Sequence, residues 1–256
     1  MKKYKAYLID LDGTMYRGSE PIPEAVRFVN QLRDKGIPHL YMTNNSTSSP
    51  ETVAERLAGM GVKCEADQVM TTSLATARYL HEQTPSAAVY VIGEQGLQEA
   101  LESYGLRLTE TNPDAVVMGL DRGITYDKLS KATVAVRSGA MFISTNEDVA
   151  VPTEQGFHPG NGALTSVVTT AAQKNPIFIG KPEPIMVDMA MQALGLTKEE
   201  VALIGDNYDT DILAGVRAGI DTIHVNTGVT SREVAAAKET PPAYQVETLA
   251  EWADYL

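Results

Sequence analysis

Leu8-Ile9-Asp10-Leu11-Asp12-Gly13-Thr14 closes an apolar run that begins at Ala6. A short uninterrupted apolar run reads as a strand buried on both faces, the kind found in parallel sheets. This one ends on two carboxylates, two residues apart, followed by a Gly-Thr turn. Buried like charges this close resist joint ionisation unless a proton or a cation separates them. Carboxylate oxygens with waters suit Mg²⁺. The stretch therefore points to a metal-assisted carboxylate site at the end of the first strand.

The same alternation continues downstream. The spacing predicts a helix over 23–35, with Ala25, Val26, Val29 and Leu32 on one face and Gly36 as its stop. A strand over 39–43 ends in the polar cluster Asn44-Asn45-Ser46-Thr47-Ser48-Ser49, and Pro50 opens a helix to about residue 60. A strand at 69–71 and a helix over 73–82 follow. The chain breaks at Gln83-Thr84-Pro85-Ser86 and begins a second set. Strands are expected at 89–93, 115–118, 141–144 and 177–179, and helices at 97–104, 126–137 and 162–174. Beyond Lys181-Pro182 come a helix at 185–194, a strand at 201–205, a helix at 210–218, a strand at 222–225 and a short C-terminal helix. This βα alternation predicts an α/β fold with parallel sheets. Two regions are expected: 1–83 with 179–256, and an inserted α/β region over 84–178.

Composition limits the function. The 256 residues are 43% hydrophobic and 21% charged, which fits a globular protein with a large core. The lone Cys64 excludes an internal disulfide and suits a reducing, cytoplasmic compartment. Lys2, Lys3 and Lys5 resemble a signal n-region, but the apolar run after them stops at Asp10, so export is not expected. No stretch approaches the ~18 apolar residues of a membrane span. The net charge of −12 disfavours nucleic acid and anionic membrane as partners. It also opposes an anionic substrate at long range, so a phosphate would need local groups to hold it.

Such groups end three other strands. Asp206-Asn207-Tyr208-Asp209-Thr210-Asp211 follows Val201–Gly205. Ligands of parallel α/β sheets bind at the C-terminal strand ends. If the two acidic strands are neighbours, Asp10 and Asp206 form a Mg²⁺ site. Thr43 with the amides of Asn44 and Asn45 offers a hydroxyl and N–H donors to a phosphate. Lys181, after Ile177-Phe178-Ile179-Gly180, offers a point cation. Each feature has a plainer reading alone: a polar turn, a capping loop, a surface lysine, or acids at a helix N-terminus. The chain has no Gly-x-Gly-x-x-Gly, no P-loop and no Gly-x-Ser-x-Gly elbow, and its four histidines lack metal-ligand spacing.

Asp10-x-Asp12-Gly13-Thr14, Thr43-Asn44, Lys181-Pro182 and Gly205-Asp206 with Asp211 stand in the order of four motifs. In that order the chain resembles the haloacid dehalogenase-like (HAD) superfamily of phosphatases. Thr43-Asn44-Asn45-Ser46, Gly180-Lys181-Pro182 and the long insertion after Thr43 resemble the NagD-like subgroup. That subgroup includes para-nitrophenyl phosphatases and sugar- or nucleotide-phosphate phosphatases. The resemblance implies a Rossmann-like parallel-sheet core with the Asp10 strand central, and a large α/β cap between motifs two and three. It implies hydrolysis of small phosphomonoesters through an aspartyl-phosphate. Asp10 would be the nucleophile and Asp12 the acid and base. Mg²⁺ would sit on the Asp10 carboxylate, the Asp12 carbonyl and Asp206. Thr43, Asn44, Asn45 and Lys181 would bind the phosphoryl group, supported by Asp211 and Asn207. Asp209 takes no role.

The cap would read the substrate, and the Gly- and Pro-rich stretch 146–162 is the candidate loop. Glu147 and Asp148 argue there against a pocket for a second phosphate. A small phosphorylated metabolite is the expected partner, with a homodimer through the cap as an open arrangement. The rival functions are a phosphotransferase or phosphomutase of the same superfamily, and a receiver-like phospho-acceptor. Motif order and the added Asp12 disfavour the latter.

Overall fold

The computed structural model of the chain describes residues 2–153 and 155–256. Its opening elements are β1 (Ala6–Asp10), β2 (Tyr16–Arg17), β3 (Glu20–Pro21), α1 (Pro23–Asp34), β4 (His39–Thr43), α2 (Pro50–Gly59), β5 (Val69–Thr71) and α3 (Thr72–Gln83). There follow β6 (Ala88–Ile92), α4 (Gln95–Ser103), β7 (Arg107–Leu108), β8 (Ala115–Met118), α5 (Tyr126–Arg137), β9 (Met141–Ser144), β10 (Ala150–Thr153), β11 (Gly156–Pro159), α6 (Asn161–Ala172) and β12 (Ile177–Phe178). The chain finishes with α7 (Ile185–Leu194), β13 (Val201–Gly205), α8 (Leu213–Ala218), β14 (Asp221–Val225), α9 (Arg232–Ala236), β15 (Tyr244–Val246) and α10 (Leu249–Ala253). These residues divide into two compact units. The first comprises the chain up to Thr43, Pro50–Met70 and Lys181–Leu256; the second comprises Asn44–Ser49 and Thr71–Gly180.

The first unit carries a six-stranded sheet in the order β15-β14-β13-β1-β4-β5. All five residues of β1 and of β13 are buried, as their apolar runs require. The two strands pair in parallel with Leu8 opposite Leu203 and Ile9 opposite Ile204. On the other side Asp10 stands opposite Met42 of β4. This register brings the acidic ends of β1 and β13 level, and it places β1 inside the sheet. Phe28, Val29 and Leu32 of α1 and Leu57 of α2 pack on Tyr7, Ile9, Tyr41 and Ile204. Trp252 of α10 is fully buried in the same core and donates from Nε1 to the Tyr7 hydroxyl at 3.2 Å. Removing side chains of this size from water contributes about 1.5–3 kcal/mol each.

The second unit has its own parallel sheet, β12-β9-β8-β6-β7, and its own core of Tyr90, Ile92, Val116, Met118, Val136, Phe142 and Val168. Among the described residues no helix is long and apolar enough to cross a membrane.

The structure adds elements where the apolar pattern was silent. The segment after Thr14 is a miniature hairpin, with Tyr16 opposite Pro21. The stretch 146–162, expected as a loop, contains the antiparallel pair β10–β11, whose residues are almost all exposed. With its residues so exposed, no buried face marks it in the sequence. Glu154 lies outside the described residues. The helix expected over 210–218 starts as a π-helical turn, Tyr208–Ile212, before α8.

Candidate active site

Four of the sequence-derived residues meet within the first unit. Lys181 Nζ donates to Asp10 Oδ1 at 2.5 Å and to Asp211 Oδ1 at 2.7 Å, and the lysine is 2% exposed. The carboxylates of Asp10, Asp206 and Asp211 are buried, with oxygens within 4.8 Å of one another. Asp10 arrives on β1 and Asp206 follows β13. Asp211 rides on the π-helical turn, a distortion often kept at functional sites. Its Oδ2 also accepts the Asn207 N–H at 3.1 Å, so Asn207 supports it through the backbone.

Asp206 is lodged between two glycine backbones. A Cβ on Gly13 would stand 2.5 Å from the Asp206 Cγ, and Gly13 has a φ of +89°, which favours glycine in any case. A Cβ on Gly228 would overlap the Asp206 Oδ2. Thr14 donates its hydroxyl to Oδ1 at 3.1 Å and Val229 its N–H to Oδ2 at 2.7 Å. Thr227 closes the cradle by donating to the Gly13 carbonyl at 2.7 Å. The sequence reading gave none of Thr14, Thr227, Gly228 and Val229 a role. Thr14 was inside a quoted motif, whereas the 227–229 loop carries no local signal of its partner.

Charge explains the chemistry. Burial pushes the Asp10 carboxyl well above its usual range, and Asp211 and Asp206 push it further, while Lys181 opposes them. Burial and Asp211 push Asp206 up to about 6, against the donors from Val229 and Thr14. Burial alone would lower the Lys181 ammonium, but the Asp10 and Asp211 carboxylates outweigh it and hold it protonated. One lysine among three buried carboxylates leaves an excess of negative charge. That excess, with a donor set made only of oxygens, fits a hard divalent cation.

Asp12 lies two residues beyond Asp10 and is exposed. Loss of water from part of its carboxyl still raises its pKa, and the Arg56 charge and the Gly18 backbone oppose this. Arg56 stacks its guanidinium over the Tyr16 ring at 4.1 Å and donates to the Gly18 carbonyl. It thereby braces the hairpin after Asp12, a role the sequence did not suggest. Thr43 ends β4, next to Met42, whose carbonyl is 3.4 Å from Lys181 Nζ. Asn44 and Asn45 group with the second unit. Asn45 Oδ1 accepts from the Thr47 N–H at 2.7 Å and hydroxyl at 2.8 Å, forming a local turn. Asn44 Nδ2 donates to Asp148 at 3.2 Å, a pairing invisible in the sequence.

Comparison with known proteins identifies the family. Residues 7–107 match the family model for haloacid dehalogenase-like hydrolases, and residues 178–252 match a HAD-hydrolase-like model. An acid sugar phosphatase of Staphylococcus saprophyticus is 54% identical over 252 residues, 98% of this chain and 97% of that one. The 5'-nucleotidase YutF of Bacillus subtilis is 50% identical over 256 residues, the whole of both chains. Among solved structures, the p-nitrophenyl phosphatase from Archaeoglobus fulgidus has a TM-score of 0.95 at 33% identity and covers all of both chains. The motifs, the parallel sheets and these relatives place the chain in one family: it belongs to the haloacid dehalogenase-like hydrolases, within their NagD-like phosphatase subgroup.

Proposed function

We propose that this phosphomonoester hydrolase is Mg²⁺-dependent and works through an aspartyl-phosphate on Asp10. The buried cluster of Asp10, Asp206 and Asp211 around Lys181 carries the reading. Asp10 and Asp206, with the Asp12 carbonyl, would hold the cation. Bound there, magnesium would neutralise charge on the phosphoryl oxygens and lower the barrier to in-line attack.

The chain's own residues supply the rest. An Asp10 oxygen attacks phosphorus, forming an acyl-phosphate bond as the ester P–O bond breaks. Asp12 gives its proton to the leaving oxygen, a role that the upward shift of its carboxyl favours. Water then attacks phosphorus, Asp12 takes its proton, and the Asp10–phosphorus bond breaks. Lys181 favours the ionised form of Asp10, opposing burial and the neighbouring carboxylates, and balances the phosphoryl charge. The Thr43 hydroxyl and the Asn44 and Asn45 N–H groups orient the phosphoryl oxygens. Asp211 fixes Lys181.

The substrates would be small phosphomonoesters: acid sugar phosphates, nucleoside monophosphates and p-nitrophenyl phosphate, as the relatives' names support. Region 84–178 would act as the cap, with stretch 146–162 selecting the leaving group. The test is turnover of p-nitrophenyl phosphate and a panel of phosphorylated metabolites with and without Mg²⁺. We expect EDTA to abolish turnover and Mg²⁺ to restore it. Asp10→Asn should lose at least ~10³-fold in kcat, the scale for a removed nucleophile. Undiminished turnover of either the chelated enzyme or Asp10→Asn overturns the reading.

A further inference from the structure

The second unit holds a buried polar network that this mechanism leaves unused. Asn161, the first residue of α6, donates from Nδ2 to Ser144 Oγ at 2.8 Å, Thr145 Oγ1 at 3.2 Å and the Asn146 carbonyl at 2.8 Å. Ser144, Thr145, Asn146 and Asn161 are all buried. The network thus fixes Asn146, which turns its own Nδ2 onto the Asn44 carbonyl at 2.7 Å. Thr72, the first residue of α3 and fully buried, donates its hydroxyl to the same carbonyl at 2.9 Å. Gly180 leaves room for this junction, since a Cβ there would stand 2.6 Å from both Asn44 Oδ1 and the Thr145 carbonyl.

Two donors on one carbonyl occupy both of its lone-pair directions and stop the peptide from rocking. A trans peptide is planar, with its N–H antiparallel to its C=O. Holding the Asn44 carbonyl therefore also sets the direction of the Asn45 N–H, on the opposite edge of the same plane. Donors to a developing anion act best when aimed in advance and held by supporting hydrogen bonds.

We infer that Asn146 and Thr72 are positioning residues: by gripping the Asn44 carbonyl they fix the direction of the Asn45 N–H, a donor of the proposed phosphate loop. The inference rests on the reading that the Thr43–Asn45 loop binds phosphate. Asn161 and Ser144 act one step further back by immobilising Asn146. The device couples the cap's β9–α6 connection to the phosphate loop without touching substrate.

Thr72→Val removes the hydroxyl and keeps the shape, Thr72→Ser keeps the hydroxyl, and Asn146→Asp replaces the donor with an acceptor. For each we would measure the Kd of inorganic phosphate by calorimetry in Mg²⁺, kcat and KM for p-nitrophenyl phosphate, and the Tm. Thr72→Val and Asn146→Asp should weaken phosphate binding about tenfold and lower kcat/KM at least as much, the scale for one aimed hydrogen bond. Thr72→Ser should stay within about threefold of the parent. Phosphate affinity within about threefold of the parent in Thr72→Val overturns the inference, as does equal weakening in Thr72→Ser. If Asn146→Asp does not fold, the Thr72 pair decides. A parent that binds phosphate but hydrolyses no ester would sink the hydrolytic reading alone. A parent that turns over while Thr72→Val is unaffected would sink this inference alone.

Discussion

The position of Asp206 depends on what two neighbours lack. Gly13 and Gly228 leave its carboxylate lodged against bare backbone, and Thr14 and Val229 each donate to one of its oxygens. Gly228→Ala would put a methyl group where Oδ2 now sits. The loop or the carboxylate must then move, and a displacement of ~1 Å in such a site costs about 10²-fold in rate. We therefore expect Gly228→Ala to need at least tenfold more Mg²⁺ for half-maximal activity and to lose about 10²-fold in kcat/KM. A metal titration of activity checks this; an unchanged Mg²⁺ dependence would show that Asp206 does not hold the cation. Asp10, Asp206 and Lys181 were legible because each follows an apolar run, where a charged residue has few innocent reasons to be, whereas Asp211, inside a polar run, was marked only by the family resemblance. The Gly13–Gly228 cradle was not, because glycine at a distant loop announces flexibility and not the partner that crowds it.

Strand β4 carries Thr43 at one end and a histidine at the other. The His39 ring is buried, and its Nδ1 donates to the Ile37 carbonyl at 3.1 Å. Its Nε2 is left buried without a partner, so a proton there would gain no acceptor. Burial accordingly lowers its pKa from 6.5, despite the bond to Ile37. A base with a depressed native pKa binds fewer protons folded than unfolded. Its contribution to stability is present above about pH 6.5 and is lost as pH falls from there through the native value. Urea unfolding at pH 7.5, 6.5 and 5.5 should show His39→Phe less acid-sensitive than the parent across that interval. Parallel pH curves for the two would remove His39 as the source. Other elements show where pattern reading stops. The strands β1, β4, β8 and β13 were read with their bounds because burial on both faces forces continuous apolar runs. Strands β7 and β15 were missed because two or three residues at a sheet edge carry no period. The β10–β11 pair was missed because its exposed residues, including Phe157 and Val149 beside it, record no core. The π-helical turn was read as ordinary helix, since its extra residue per turn serves the placement of Asp211 and not a propensity.

Over the whole chain, 33 acidic residues against 21 basic ones give a net charge of −12, and the expected substrates are anions. The repulsion acts over a Debye length of ~30 Å at 0.01 M salt and ~8 Å at 0.15 M. Raising ionic strength across that range at saturating Mg²⁺ should increase kcat/KM for p-nitrophenyl phosphate by about two- to fivefold, with kcat little changed. Stopped assays at several salt concentrations test it; a steady fall would mean that a local cationic field dominates approach. The sheet order has a further consequence, for synthesis. The strand bearing Asp10 leaves the ribosome well before β13, and β4 follows it soon after. Its other neighbour, β13, emerges only after the entire second unit has been made. At ~5–20 residues per second, one flank of that apolar strand spends on the order of 10 s or more as an open template for any passing chain. The nascent polypeptide thus carries an unpaired strand edge for an interval set by the length of the insertion, and that interval closes once β13 can pair with β1.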